Sequence, residues 1–149
     1  RATRPFDKRP GDLNRLRERL LDTMWDDVGV IRDRAGLERA VANLDAIDAE
    51  LHATGLRDGD RAFNLTWHDW LNLESLVAVS KVIAKAALRR ENSRGAHYRE
   101  DFPGEGDFAT STFTVARQRD GQVDVADEPV AFTIVRPGET LLNESRAAE

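Results

Sequence analysis

The 149 residues contain no cysteine, one methionine, one tyrosine and five prolines. Without cysteine there is neither a disulfide frame nor a thiolate metal site, which fits a reducing compartment. Histidine is scarce too. His52, His68 and His97 have no metal-ligand spacing between them, so no metal site is expected. His68 stands beside Asp69, but neighbours in sequence point to different sides of a helix, and a surface or capping role is expected of both. No apolar run approaches membrane-spanning length and no signal-peptide pattern opens the chain, so direct membrane insertion is not expected. Basic residues do not dominate: 22 Lys and Arg face 27 Asp and Glu, a formal net charge of −5. No basic stripe exists to replace the counterions of a phosphate backbone, which excludes nucleic acid as an expected partner. There is no Gly-x-Ser-x-Gly elbow and no Walker-type lysine loop. Gly104-x-Gly106 lacks the third glycine of a dinucleotide fingerprint, and no strand precedes it.

What the chain does have is amphipathic periodicity. Hydrophobic residues make up 40% and charged residues 33%, the balance of a soluble, helix-rich domain with a real core. The first residue is Arg1 rather than Met, as expected of a fragment of a longer protein. Residues 1–10, charged and holding Pro5 and Pro10, read as an extended linker. Asp12 is placed to cap a helix through about Asp27, with Leu13, Leu16, Leu20, Met24 and Val28 on one face and Trp25 broadening it. Asp33 should cap a second helix, whose stripe is Leu37, Val41, Leu44, Ile47 and Leu51, and Gly55 is a candidate for the position just past its end. A third helix is expected from Thr66, through a capping box with Asp69, to about Arg90. Trp70, Leu73, Val77, Ala84 and Ala87 form its main face, widened by Leu76, Ile83 and Leu88. Trp25, Trp67 and Trp70 read as core or interface residues at this spacing.

Three amphipathic helices with short connections can bury their faces only on one another. The expected fold class is therefore mostly α: a spectrin-repeat-like three-helix bundle over residues 11–103, followed by a β-containing tail over 104–149. In that tail Thr110 to Arg117, Gln122 to Val125 and Val130 to Val135 are strand candidates, with Asp120-Gly121 as a hairpin turn and Asp127-Glu128-Pro129 as a break. Such a hairpin must dock on something to be stable.

Between bundle and tail lies a stretch that no solvent-facing helix needs, Arg90-Glu91-Asn92-Ser93-Arg94-Gly95-Ala96-His97-Tyr98-Arg99-Glu100-Asp101-Phe102-Pro103. Its arginines stand against Glu91, Glu100 and Asp101, and bidentate arginine–carboxylate pairs could lock such a loop. Gly95 permits a positive φ or a close backbone approach. Two readings are open: an internally paired loop that ends the third helix, or an interface loop whose charges complete their pairs on another domain. Glu100-Asp101 as a paired-carboxylate site would need a pocket around it.

The same stretch resembles the C-terminal region of succinate dehydrogenase and fumarate reductase flavoprotein subunits and their L-aspartate oxidase relatives. Ser93-Arg94-Gly95-Ala96-His97 followed by Arg99-Glu100-Asp101-Phe102 carries the likeness. So do Met24-Trp25-Asp26-Asp27-Val28-Gly29-Val30-Ile31-Arg32, Asn64-Leu65-Thr66-Trp67 and Leu73-Glu74-Ser75-Leu76. Ala96 and the Arg-Glu-Asp-Phe ending favour the first group over L-aspartate oxidase, where Leu more often follows Ser-Arg-Gly. Family members commonly carry Glu at the position of Asn92, a departure expected to change one ion pair near Arg94.

The resemblance implies an FAD-dependent oxidoreductase that passes a hydride between succinate or fumarate and the flavin, with electrons continuing to an iron–sulfur partner subunit. It implies that the flavin, the catalytic residues and the iron–sulfur clusters all lie outside this chain, which contributes no catalytic, cofactor-binding or metal residue. The chain would pack on its own FAD-binding domain and support assembly with the iron–sulfur subunit. Ser93, Arg94, Gly95, His97, Arg99, Glu100 and Asp101 are the interface candidates. The setting would be cytoplasmic, at the cytoplasmic face of the inner membrane where partner subunits anchor the complex. A self-standing helical interaction module is the rival from another class.

Overall fold

The computed structural model describes residues 2–119 and 122–139. Helix α1 (Leu13–Val28) starts where the Asp12 carboxylate accepts the backbone N–H groups of Asn14 and Arg15, both at 3.1 Å. That satisfies two donors the first helical turn leaves without partners. Helix α2 (Arg34–Ala53) is capped by Asp33, which accepts the Gly36 N–H at 2.6 Å. Helix α3 (Leu65–Arg89) begins one residue earlier than expected. Its cap is Asn64, which accepts the Trp67 N–H at 2.8 Å, and not Thr66. The Asn64 amide is also anchored to the Asp58 and Asp60 carbonyls, so it is held in capping position from both sides.

The three helices bury Leu16 and Leu20 of α1, Leu37, Leu44, Ile47 and Leu51 of α2, and Trp70, Leu73, Val77 and Ala84 of α3. The Trp70 indole N–H donates to the Leu51 and Thr54 carbonyls at 3.3 and 3.1 Å, so this large ring is buried without stranding its polar atom. The bundle and the strand-bearing tail agree with the expected architecture.

Several local expectations fail for identifiable reasons. Trp25 does not broaden the buried face of α1; it is 82% exposed. Leu76 and Ile83 also face outward, because α2 and α1 occupy only one side of α3. Residues 4–7 are not extended: Arg4–Asp7 form a 3₁₀ turn with Pro5 buried, and the Leu56 N–H donates to the Pro5 carbonyl at 3.2 Å. Gly55 serves this contact rather than a left-handed helix end. A Cβ on it would lie 2.0 Å from the Lys8 carbonyl oxygen.

Strand β1 (Ile31–Arg32) pairs in parallel with β2 (Tyr98–Arg99), placing Ile31 opposite Tyr98 and Arg32 opposite Arg99. This two-rung ladder, absent from the expected elements, ties the end of α1 to the stretch after α3. In the tail, β3 (Thr112–Arg119) and β4 (Gln122–Pro129) form an antiparallel hairpin docked on α3, where Arg89 pairs with Asp127 at 2.7 Å. The Asp127-Glu128-Pro129 segment belongs to β4 instead of breaking it, and Val130–Val135 is not a strand. Proline is tolerated there because it terminates an edge strand, opposite Thr112. The Asp120-Gly121 turn lies outside the described residues. Among the described residues no helix is long and apolar enough to cross a membrane.

Candidate functional site

The stretch from Arg90 to Phe102 folds back on itself and knits three helix ends together. Ser93 is its knot. The Ser93 N–H donates to the Gly104 carbonyl at 2.9 Å, and its hydroxyl donates to the Phe102 carbonyl at 2.8 Å while accepting the Arg99 N–H at 2.9 Å. Arg94 and His97 exchange backbone hydrogen bonds at 2.9 and 3.1 Å around Gly95-Ala96. A two-residue hairpin of this kind needs a positive φ at its first central position, and Gly95 supplies it at +59°.

Arg99 is fully buried. Its Nη1 donates to the carbonyls of Ala87, Leu88 and Arg90 at 3.0, 3.2 and 3.0 Å, satisfying the acceptors that the last turn of α3 leaves open. Its Nε and Nη2 clasp both carboxylate oxygens of Asp101 at 2.7 and 2.6 Å. Asp101 in turn accepts the Arg34 N–H at 3.1 Å, at the first turn of α2. A cation thus sits at a helix C-terminus and an anion at a helix N-terminus, each the favourable sign for the local dipole. The Arg99 hydrogen bond dominates in holding the Asp101 carboxyl at about 2, below its usual 3.8.

Arg32 repeats the device at α1. Its Nε donates to the Val28 carbonyl at 3.1 Å, and its Nη1 lies 3.0 Å from His97 Nδ1. A guanidinium can only donate, so Nδ1 is the acceptor and the His97 proton resides on Nε2. Nε2 is buried and has no hydrogen-bond partner that meets distance and angle requirements among the described residues. Burial lowers the His97 pKa, the nearby charges of Arg90, Arg32 and Arg99 add to that, and the Arg90 backbone opposes it in part. Burial, then Arg90, lowers the pKa of Arg32 as well.

Arg94 reaches the other way, toward the tail. It donates to the Glu105 carbonyl, to the Ser111 hydroxyl at 2.8 Å and to the Asp107 carbonyl at 3.1 Å, with its guanidinium 4.4 Å from the Phe108 ring centre. Asn92 bonds Arg90 at 3.0 Å, so the departure at this position touches Arg90 rather than Arg94 as expected.

Of the seven interface candidates, Ser93, His97 and Arg99 are therefore buried within the chain and Arg94 is half-buried. Gly95, Glu100 and Asp101 reach the surface. Arg32 and Arg34 belong to the same constellation but were not singled out. The usable signal was position: each lies within one turn of a helix end. Chemically the loop is an electrostatic clamp, and beside it an open polar cleft of about 310 Å³ is lined by Arg89, Arg90, Glu91, Arg94, Asp107 and Asp127 among others. Among the described residues no group of His, Asp and Glu is arranged to hold a metal ion.

The family model described as fumarate reductase flavoprotein C-term matches residues 17–142, which takes in most of α1, all of α2 and α3, the clamp and the hairpin. The chain belongs to this family. It is 35% identical over 128 residues to the fumarate reductase flavoprotein subunit of Mycobacterium tuberculosis, a match covering 85% of this chain and 22% of that protein. It is 30% identical over 93 residues to L-aspartate oxidase of Pyrococcus abyssi, covering 62% of this chain and 14% of that one. Among solved structures, Mycobacterium smegmatis Sdh1 in its apo form superposes with a TM-score of 0.76 at 29% identity, over 89% of this chain and 23% of that chain. The chain thus spans about a fifth of the length of its flavoprotein relatives. The three-helix bundle with a small β tail is the C-terminal helical fold of these flavoproteins.

Proposed function

We propose that this chain is the C-terminal helical domain of an FAD-dependent subunit of the succinate dehydrogenase/fumarate reductase type, and that it supports the catalytic part without contributing to the chemistry. The observation that carries the reading is the 35% identity to a fumarate reductase flavoprotein subunit over 85% of the chain. Two features support it. The clamp residues hold helix ends together, and the family match runs through the whole clamp. FAD and the dicarboxylate would then be handled by the preceding part of the subunit, and an iron–sulfur subunit would accept the electrons. Such a complex would work at the cytoplasmic face of the inner membrane, reached through partner subunits. Within it, the exposed Gly95, Glu100 and Asp101 would meet the FAD-binding domain directly. Ser93, Arg94, His97 and Arg99 act by fixing the loop that presents them.

The test is to purify the full-length protein that carries this chain. Its visible spectrum is recorded, and turnover of succinate, fumarate and aspartate is assayed with an artificial electron carrier. The expected result is flavin absorbance with succinate or fumarate turnover. Aspartate oxidation alone would assign it to the L-aspartate oxidase branch, and a colourless parent would overturn the reading.

A further inference from the structure

Five large apolar side chains stand uncovered at the clamp end of the bundle. Leu21 and Trp25 lie one turn apart on α1 and, with Met24 and Gly29, line a shallow cleft. Val30 and Ile31 follow directly, 76% and 61% exposed. Ile31 stands opposite Tyr98 in the parallel ladder, and both face solvent while their neighbours Arg32 and Arg99 turn inward. Followed along the chain and across the ladder, these side chains make an exposed ridge, Leu21–Trp25–Val30–Ile31–Tyr98. Asp22 and Asp26 beside it, and Glu100 beyond Tyr98, make no ion pair among the described residues. An exposed apolar strip rimmed by polar residues marks an interaction surface.

We infer that this ridge is the seat of the flavin-binding part of the subunit, which meets it with an apolar groove rimmed by basic residues, and that the arginine clamp is the strut that holds the ridge in shape. The inference rests on the function proposed above and names the surface through which it works. It adds, to the contact made by the charged loop, the apolar side chains that the loop positions. Arg99 and Ser93 fix β2, β2 fixes β1, and together they set Tyr98 and Ile31 side by side. A second copy of the chain fits less well, because a twofold contact would lay Asp22 and Asp26 of one copy near the same acids of the other. The flavoprotein relatives are more than four times as long as the segment matched, so a partner large enough to cover the ridge is provided for.

The test uses the flavin-loaded full-length subunit. Val30→Cys and, on the exposed face of α3, Val79→Cys are alkylated and followed peptide by peptide by mass spectrometry; this stretch has no cysteine of its own. Val30→Cys should react at least tenfold more slowly than Val79→Cys in the native subunit, and equally fast in urea. Ile31→Asp should raise the rate of proteolytic release of the helical domain at least tenfold. Equal native rates at the two cysteines would overturn the inference. So would an Ile31→Asp variant that dissociates a dimer while leaving proteolytic release unchanged. A wild-type parent without flavin would instead remove the functional reading and is seen before any variant is made.

Discussion

Arg99 and Asp101, two residues apart, clasp each other through two hydrogen bonds at 2.7 and 2.6 Å, and between them close the end of α3 and the start of α2. The pair is asymmetric. The arginine is fully buried while the carboxylate reaches water, so the arginine's desolvation is offset by three backbone carbonyls as well as by its partner.

Removing the guanidinium should therefore cost far more than a surface pair would. Arg99→Ala strands the Ala87, Leu88 and Arg90 carbonyls, the first of them buried, and opens a cavity, for an expected loss of about 3–5 kcal/mol. Arg99→Lys keeps the charge but cannot fork between the carbonyls and the carboxylate, and should lose about half as much. Urea denaturation followed by tryptophan fluorescence measures both. By comparison, Arg89→Ala breaks a half-exposed pair with Asp127 and should change stability by under about 1 kcal/mol.

Acid should loosen the clamp in two separate windows. The folded pKa of Asp101 is depressed to about 2 from 3.8, so its contribution is complete above 3.8 and is lost as pH falls toward 2. His97 is held neutral by burial and by surrounding arginines, so its folded pKa also lies below the unfolded value of 6.5. Its contribution is present above 6.5 and fades as pH falls through the folded pKa. The urea midpoint should fall between pH 7 and 5 in the wild type, and less steeply in His97→Gln. Asp101→Asn should flatten only the more acidic limb.

Gly55 is a test of close approach. A methyl group there meets the Lys8 carbonyl oxygen at 2.0 Å, which no side-chain movement can relieve. Gly55→Ala should push the 3₁₀ turn at Arg4–Asp7 off the bundle and cost roughly 1–3 kcal/mol. Because Trp67 donates to the Ala2 carbonyl at 2.8 Å and meets Phe6 edge-on at 5.1 Å, hydrogen exchange of the first ten residues should accelerate with it.

Trp70→Phe keeps an aromatic ring but loses part of the indole volume and the N–H that two carbonyls share. A loss of about 1–3 kcal/mol is expected in thermal unfolding. Leu44→Ala, in the middle of α2, should lose about 3–5 kcal/mol through the cavity it leaves.

Sequence reading reached the helices because their signals are local. Asp12 and Asp33 cap where the apolar periodicity begins, and Leu37, Leu44, Ile47 and Leu51 keep one stripe whatever they pack on. Asn64 was missed as a cap because Thr66 two residues on offered a competing motif, and only the Asp58 and Asp60 carbonyls show which of the two is oriented. The hairpin was legible, but its end was misplaced, because Pro129 was read as a break when it sits at the last rung of an edge strand.

The amino-acid sequence by itself determined three amphipathic helices and a hairpin, which follow from short-range spacing and residue type, and its likeness to known flavoproteins determined the family. Only the tertiary structure decided which way the clamp turned. Ile31 and Tyr98 pair across 67 positions, and no local rule assigns a partner at that distance. Whether Arg99 faces a neighbouring domain or the end of α3 depends on where the unsatisfied carbonyls of Ala87, Leu88 and Arg90 lie. With the guanidinium in that position, Trp25, Val30 and Ile31 stay exposed, with no partner among the described residues.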